Sequence, residues 1–399
     1  MKKYVFKKLL RSFISAVSVI LILCLGLNVP VNAVVKNDQA KAVNNVDLGL
    51  NCKSAVLMEA SSGKILYEQN PDEALPPASV TKIMTLLLVM EAIEAGKVSY
   101  TDIVRASANA CSMGGSQIYL EENEEMSLED MLKSVVIASA NDAAVALAEH
   151  ISGTEEAFVE QMNIKAEELG MTNTKFENTN GLDDTVENHL TSARDIAIMS
   201  RELIKHPKIT EYSSIWMDSI RNGEFGLTNT NRLIRFYKGA TGLKTGSTSK
   251  AGFCISATAE RDGMTLIAVI MGAESRDVRN AAAVSLLDYG FANYGIYLNE
   301  GKSDIKVNIK KGIEPYVDLQ YSSFTCPIGK NEISQIKVEE SLPDVIDAPV
   351  RAGDVVGQII YKSGDKEIGR SDITAKNSVE KLSFGDMILI FFKKFATYL

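Results

Sequence analysis

Residues 75–95 have the sequence LPPASVTKIMTLLLVMEAIEA, in which two prolines precede a long apolar run. The prolines stiffen the entry to the run, and the run itself predicts a helix over 79–95. Ser79 and Lys82 would lie one turn apart on one face of that helix. A hydroxyl is a weak nucleophile that needs a base, and lysine is a base only where burial or a second cation lowers the pKa of its amine. Taken alone, the tetrad Ser79-Val80-Thr81-Lys82 is better explained by a serine that caps the N-terminus of the helix.

Two later motifs favour a catalytic interpretation. Ser139-Ala140-Asn141 lies in a run of small, helix-forming residues and could hold a hydroxyl and an amide against the first pair. Lys244-Thr245-Gly246 precedes a predicted β-hairpin, where an edge strand could supply a second cation, a hydroxyl for a carboxylate and a backbone N–H. Each motif alone is weak, because Ser-Ala-Asn recurs at 107–109 and Ser-x-x-Lys recurs at 61, 247, 303, 334, 363 and 378.

Order and spacing strengthen the three motifs together. Ser-x-Asn follows Ser-x-x-Lys by 60 residues and Lys-Thr-Gly follows after another 105, which is the trio of penicillin-binding proteins and class A β-lactamases. The sequence resembles the D-alanyl-D-alanine carboxypeptidases, the low-molecular-mass penicillin-binding proteins related to the type 5 enzyme. The likeness covers roughly 47–298 and includes the segments Leu66-Tyr67-Glu68, Asn141-Asp142-Ala143-Ala144, Asn180-Gly181-Leu182, Asn229-Thr230-Asn231 and Ala251-Gly252-Phe253-Cys254. At Ala140 the chain departs from the family, which usually has glycine there.

The resemblance implies acyl transfer through an acyl-enzyme. Ser79 would attack the penultimate D-alanine carbonyl of a peptidoglycan stem peptide that ends in D-Ala-D-Ala, and Lys82 would take the serine proton. Ser139 would relay that proton to the leaving D-alanine. β-Lactam antibiotics would acylate Ser79 as covalent inhibitors.

The resemblance also implies a substrate-binding set. Asn141 would hold the substrate amide and Lys82, while Lys244 and Thr245, followed by Gly246, would bind the terminal carboxylate. The backbone N–H groups of Ser79 and Ser247 would form the oxyanion hole. No cofactor and no metal is implied. Arg276 or Arg279 could assist in binding the carboxylate; the alternative is that both are solvated residues at a helix start, and both are left out of the catalytic set.

Three alternatives share these motifs. A class A β-lactamase would use a glutamate in a Glu-x-x-Leu-Asn segment, and residues 139–244 contain none. A D,D-endopeptidase or transpeptidase would use the same acyl-enzyme. A non-catalytic receptor for β-lactams or the cell wall would keep the site without turnover.

Charge and the N-terminal region indicate where the chain acts. Lys and Arg number 42 against 51 Asp and Glu, and this formal net charge of −9 excludes a general attraction to nucleic acid. A basic start, an apolar run and Val31-Asn32-Ala33 predict a signal peptide over 1–33, with an uncleaved anchor as the alternative. Residues 34–46 are predicted to be a linker. We therefore expect an exported protein at the outer face of the cytoplasmic membrane.

Residues 379–399 are predicted to form an amphipathic helix. Large apolar residues such as Phe384, Met387 and Ile388 fall on one side, with Asp386 and Lys393 opposite. The run is too short to span a bilayer, so the helix is expected to lie in the membrane interface. The alternative is that it docks on its own protein.

The predicted fold is an α/β catalytic domain of the penicillin-binding type, with an antiparallel sheet and helices over 47–298. A small all-β domain, a β-sandwich, is predicted over 303–376. The other predicted elements are hairpins at 54–67 and 252–271 and helices at 127–150, 155–169, 192–205 and 277–294.

The cysteines and histidines do not predict a metal site. Cys52, Cys111, Cys254 and Cys326 lack CxxC spacing and are expected to be buried free thiols. The histidines are dispersed without an HExxH motif, which leaves a zinc hydrolase short of ligands. His189 is interpreted as structural, leading into a capping box that starts at Ser192.

Overall fold

The computed structural model describes residues 46–184 and 186–397. The predicted signal peptide at 1–33 lies outside the described residues, as does the predicted linker except for its last residue. The helices are α1 (Lys82–Glu94), α2 (Ala108–Cys111), α3 (Leu128–Lys133), α4 (Asn141–Ser152), α5 (Glu155–Glu168), α6 (Ala193–Leu203), α7 (Pro207–Ser213), α8 (Leu233–Phe236), α9 (Arg276–Asn293), α10 (Lys330–Ile333) and α11 (Phe384–Thr397). The strands are β1 (Ser54–Glu59), β2 (Ile65–Gln69), β3 (Ile103–Arg105), β4 (Glu125–Ser127), β5 (Met217–Ile220), β6 (Phe225–Thr228), β7 (Ala240–Thr248), β8 (Gly252–Arg261), β9 (Met264–Ala273), β10 (Tyr294–Asn299), β11 (Lys302–Lys310), β12 (Tyr316–Tyr321), β13 (Phe324–Gly329), β14 (Ile336–Ser341), β15 (Val345–Asp347), β16 (Val355–Ser363) and β17 (Lys366–Ala375).

An antiparallel five-stranded sheet in the order β2-β1-β9-β8-β7 forms the centre of the first domain. Along β9, Ile267 and Val269 face the core shared with α1 and α6, whereas Leu266 and Ala268 face the core shared with α9. Because successive side chains of a strand point to opposite faces of the sheet, one face is often exposed to solvent and the other buried. Here both faces are apolar because helices cover both sides of the sheet. The sequence prediction of an α/β domain with an antiparallel sheet is confirmed.

The Asp-Gly dipeptide forms the turn of the hairpin between β8 and β9. Asp262 has φ +52° and Gly263 has φ +73°, and positive φ at both central residues is the signature of the two-residue turn that matches strand twist. The predicted hairpin at 252–271 is therefore confirmed, and β7 is added to its free side as the edge strand. The predicted hairpin at 54–67 is likewise formed by β1 and β2.

One predicted helix is wrong. The segment 127–150 is not continuous: α3 ends at Lys133, a wide turn covers Ser134–Ala138, and α4 starts only at Asn141. Ser139 has φ +64°, a left-handed conformation that no helix interior accepts. The break turns the chain so that Ser139 and Asn141 lie at the start of α4. The helices predicted at 155–169, 192–205 and 277–294 are confirmed as α5, α6 and α9.

The C-terminal domain is all-β, as predicted. Its six-stranded sheet has the order β14-β16-β17-β12-β11-β15, and β10 pairs with β13 in a two-stranded sheet. Phe324 of β13 stacks on Tyr361 of β16 with ring centroids 4.1 Å apart, so the two sheets pack through their aromatic residues. Strand β10 lies within the range predicted for the catalytic domain, yet it pairs with a strand of the C-terminal domain.

The terminal helix starts later than the predicted 379–399. Val379 is buried and its backbone pairs with Val350, so this part of the segment completes the C-terminal domain before α11 starts at Phe384. Across 46–184 and 186–397, no helix has both the length and the apolar character needed to cross a membrane.

The four cysteines in the described part of the chain are free thiols, and of these four only Cys254 is buried. Cys52, Cys111 and Cys326 are half-buried, which corrects the expectation that all four are buried. Within the described parts of the chain, no group of three or more His, Cys, Asp or Glu side chains is placed to hold a metal ion.

Candidate active site

Ser79 lies in a tight turn of 3₁₀ geometry, Ala78–Thr81, that leads directly into α1. Neither the turn nor α1 begins with a side-chain cap hydrogen bond. The Ser79 hydroxyl is instead 2.9 Å from Lys82 Nζ. The N-cap explanation of Ser79 is therefore wrong, and the serine and lysine of the tetrad form a hydrogen-bonded pair.

Lys82 is completely buried and its amine has three oxygen neighbours. Lys82 Nζ donates to Asn141 Oδ1 at 2.5 Å and to the Asn180 carbonyl at 2.7 Å, and its third contact is the Ser79 hydroxyl. Burial, followed by the charge of Lys244, lowers the pKa of Lys82 well below 10.5, with Asp142 acting in the opposite direction. The site therefore favours the neutral amine.

The three oxygen neighbours can accept the three N–H groups of a charged Lys82, and they are equally compatible with a neutral amine. A carbonyl and an amide oxygen can only accept, so Asn180 and Asn141 take the two N–H groups of an uncharged Lys82. The nitrogen lone pair then remains for the Ser79 hydroxyl, which can donate. In this arrangement the amine is oriented as a base toward the serine.

The chain around Asn141 fixes the position of its side chain. Its backbone N–H donates to the Ser116 carbonyl at 2.7 Å, and Nδ2 donates to the Gly114 carbonyl at 2.7 Å. A Cβ at Gly115 would come within 2.8 Å of Asn141 Nδ2, so the loop can approach this closely only with glycine there. Asn141 Oδ1 is thereby held on Lys82.

Ser139 lies two residues earlier, at the left-handed residue that precedes α4, and is buried. Its hydroxyl makes no side-chain hydrogen bond within 46–184 and 186–397.

The edge strand β7 carries Lys244, Thr245, Gly246 and Ser247. A Cβ at Gly246 would lie 2.8 Å from the Ser79 backbone nitrogen. The glycine therefore lets the strand pass directly over the turn Ala78–Thr81, called the nucleophile turn below. Thr245 Oγ1 donates to Thr230 Oγ1 at 2.8 Å, and Ser247 is exposed. The structure thus brings β7 against Ser79.

Lys244 is buried with its Nζ 3.0 Å from the Thr245 carbonyl. Burial, assisted by the nearby guanidinium of Arg279, lowers the pKa of Lys244 to about 7. Arg279 itself is only 3% exposed, and its Nη1 is 3.5 Å from the Cys254 carbonyl. The alternative that Arg279 is solvated is wrong, because α9 packs on the sheet with this residue facing inward; Arg276 is exposed.

The sequence analysis does not predict one group of the site, the backbone carbonyl of Asn180. The Asn180 backbone carbonyl holds Lys82, and a backbone group carries no side-chain signal. The segment Asn180-Gly181-Leu182 enters the sequence analysis only as part of the family likeness. The glycine at 181 is the one sequence signal there, and in the structure a Cβ at this position would collide with the Ala78 carbonyl oxygen.

Comparison with known proteins agrees with this geometry. Residues 39–275 match the family model for D-alanyl-D-alanine carboxypeptidase, and residues 298–381 match that for the C-terminal domain of penicillin-binding protein 5. The chain is 44% identical to D-alanyl-D-alanine carboxypeptidase DacF of Bacillus subtilis over 345 residues, which cover 85% of this chain and 88% of the relative.

Solved structures give the same result. Penicillin-binding protein 5 of Haemophilus influenzae superposes with a TM-score of 0.73 at 33% identity, covering 83% of this chain and 98% of that one. The ampicillin-bound penicillin-binding protein D2 of Listeria monocytogenes has a TM-score of 0.57 at 31% identity, covering 62% of this chain and 100% of that one. From its sequence, its two domains and the arrangement of its site, the chain belongs to the D-alanyl-D-alanine carboxypeptidase family.

Proposed function

We propose that this protein removes the terminal D-alanine from peptidoglycan stem peptides by serine catalysis at Ser79. The observation that carries the proposal is the 2.9 Å contact between Ser79 Oγ and the fully buried amine of Lys82. Family membership supplies the substrate class, and the contact supplies a nucleophile with its base.

In the first step, neutral Lys82 accepts the Ser79 proton while Oγ forms a bond to the penultimate D-alanine carbonyl carbon. The resulting oxyanion is bound by the backbone N–H groups of Ser79 and Ser247, and each such donor typically contributes 10²–10³ in turnover. The tetrahedral intermediate collapses, the peptide C–N bond breaks, and Ser139 passes the proton to the departing amine. Water then attacks the ester carbonyl and gives a proton to Lys82, the ester C–O bond breaks to release the shortened peptide as its acid, and Ser79 Oγ regains a proton.

The peptide would bind along the open side of β7, since an edge strand exposes backbone groups that can pair with an extended peptide. Lys244 and Thr245 would hold its terminal carboxylate, with buried Arg279 adding positive charge beneath Lys244. Asn141 already donates one Nδ2 hydrogen to Gly114, which leaves the second for the substrate amide.

Penicillins would acylate Ser79 by the same chemistry, because their amide carbonyl and carboxylate resemble the D-Ala-D-Ala end. A D,D-endopeptidase or transpeptidase would use the same acyl-enzyme, and a β-lactamase would release penicillin rapidly. A non-catalytic receptor would be labelled without releasing D-alanine. These outcomes separate the alternatives in a single set of assays.

Replacing Ser79 by alanine tests the nucleophile. We expect wild-type protein to release D-alanine from a peptide ending in D-Ala-D-Ala and to be labelled covalently by fluorescent penicillin. Ser79→Ala should abolish both, because the attacking oxygen is lost. Released D-alanine and gel fluorescence are the readouts.

The matched control is Ser334→Ala, which removes the serine of another Ser-x-x-Lys tetrad in the C-terminal domain and should leave both activities unchanged. Persistent labelling of Ser79→Ala would disprove the assignment. Labelled wild-type protein that releases no D-alanine would favour the receptor alternative.

The pH dependence of kcat/KM tests the roles of the two lysines. Lys82 acts uncharged, so activity should rise with pH through its lowered pKa. Lys244 binds a carboxylate only when charged, and its pKa of about 7 means that activity should fall as the pH increases above about 7. In Lys244→Arg, the decrease in activity should occur at a higher pH, because arginine stays charged.

Lys97→Arg, at an exposed position, is the control for the substitution itself and should keep the wild-type profile. An alkaline limb that is identical in wild type and Lys244→Arg would contradict the role of Lys244.

We also propose that α11 attaches the exported protein to the membrane by lying in its interface. Several large apolar side chains of the helix are exposed, including Phe384 at 75% and Leu389 at 62%, a surface that suits the boundary between headgroups and acyl chains. Export itself rests on the predicted signal peptide.

A chain truncated after Ser383 tests the attachment. Because Val379 is part of the C-terminal domain, this end point removes α11 while keeping the domain complete. The truncated protein should release D-alanine normally but no longer co-sediment with vesicles of phosphatidylethanolamine and phosphatidylglycerol. Vesicle binding that equals that of the chain with α11 would contradict the proposal.

A further inference from the structure

A buried polar residue of the turn that carries Ser79, Thr81, contacts a second buried polar residue, His189. Thr81 Oγ1 donates to the Ala78 carbonyl at 2.9 Å, and the same oxygen is 2.7 Å from His189 Nε2. Thr81 is 0% exposed and His189 3%. These contacts link the turn that carries Ser79 to the segment that follows the Asn180 loop.

The hydrogen-bond partners determine the histidine tautomer. His189 Nδ1 is 3.0 Å from the Glu177 backbone nitrogen, which can only donate, so Nδ1 is the acceptor. Nε2 then carries the proton and donates to Thr81, whose own hydrogen goes to Ala78. The three hydrogen bonds therefore run in one direction: Glu177 donates to His189, His189 donates to Thr81, and Thr81 donates to the Ala78 carbonyl.

The ring is neutral under physiological conditions. Burial is the main cause that lowers the pKa of His189 to about 4, and the charges of Glu177 and Asp183 act in the opposite direction. A second proton, on Nδ1, would point at the Glu177 N–H, a contact between two donors that the fold disfavours.

The last acceptor in this series of hydrogen bonds, the Ala78 carbonyl, belongs to a residue with a strained backbone conformation. Ala78 has φ +49°, in the left-handed region that non-glycine residues rarely adopt. Such a conformation persists only where its surroundings hold it. The Thr81 hydroxyl, together with the close approach of Gly181, holds the Ala78 carbonyl, and Ser79 is the next residue.

We propose that Thr81 and His189 are positioning residues for the nucleophile. Their hydrogen bonds hold Ala78 in its left-handed conformation and so fix the direction of both the Ser79 hydroxyl and the Ser79 backbone N–H. The proposal rests on the role of Ser79 proposed above. Neither residue touches the substrate, so their effect is on the rate of acylation.

The test compares variants that keep or remove single hydrogen bonds. Thr81→Ser keeps the hydroxyl, while Thr81→Val replaces it by a methyl group of similar size. His189→Gln places an amide N–H near Nε2 and keeps the donor to Thr81. His189→Asn places an amide oxygen near Nδ1 and keeps only the acceptor for Glu177.

Acylation is followed by stopped flow with a fluorescent penicillin, and rates are expressed per molecule that becomes labelled. Thr81→Val and His189→Asn should acylate about 10–100-fold more slowly than wild type, the loss expected from a small misplacement of reacting groups. Thr81→Ser and His189→Gln should stay within about threefold of wild type. Melting temperatures are recorded in parallel.

A purely structural role would give a different result. In that case Thr81→Val would lower the melting temperature and the labelled fraction, but the folded molecules would acylate at the wild-type rate, and this outcome would overturn the proposal. Equal rates for His189→Gln and His189→Asn would also overturn it. If wild-type protein is not labelled at all, the proposed role of Ser79 fails first and this inference with it.

Discussion

The rest of the site depends on the complete burial of the Lys82 amine, which lowers its pKa well below that of an ordinary lysine. Lys82 is fully buried, and no carboxylate lies within ion-pair distance of its Nζ among the residues described. A buried ammonium without such a partner costs several kcal/mol, so the pocket favours the free base. Lys244 adds to the cost of charging Lys82, and Arg279 does the same for Lys244. In the proposed reaction, Lys244 would therefore both bind the substrate carboxylate and help to keep Lys82 available as the base.

Close approach of backbone segments makes this pocket possible. Gly246, Gly181 and Gly115 each lie where a Cβ would collide with the nucleophile turn or with Asn141. Two segments, β7 and the loop that contains Gly181, therefore converge on the turn that carries Ser79, and the loop that contains Gly115 packs against Asn141. Their convergence excludes water from Lys82 while Ser79 itself stays half-buried, accessible to a substrate. The apolar helices behind the turn supply the rigid support.

Sequence reasoning predicted the parts of this arrangement that side chains encode. Motif spacing indicated Ser79, Lys82 and Asn141, which the fold brings into hydrogen-bond contact, and the Asp-Gly turn indicated the β8–β9 hairpin. It did not predict the break at Ser139, because the run of apolar and small residues continues through the break and tertiary contacts such as that of the Asn141 N–H with the Ser116 carbonyl hold the chain there. It also missed the Asn180 carbonyl, which is a backbone group, and the burial of Arg279, which depends on how α9 packs.

The most direct test of the account is the ionisation of Lys82 itself. In protein labelled with ¹³C at lysine Cε, the Lys82 signal can be assigned by its absence in Lys82→Arg and followed by NMR as the pH is raised. Burial beside Lys244 predicts that the Lys82 amine titrates well below the 10.5 of an ordinary lysine. A Lys82 amine that keeps its proton up to the ordinary lysine range would contradict it.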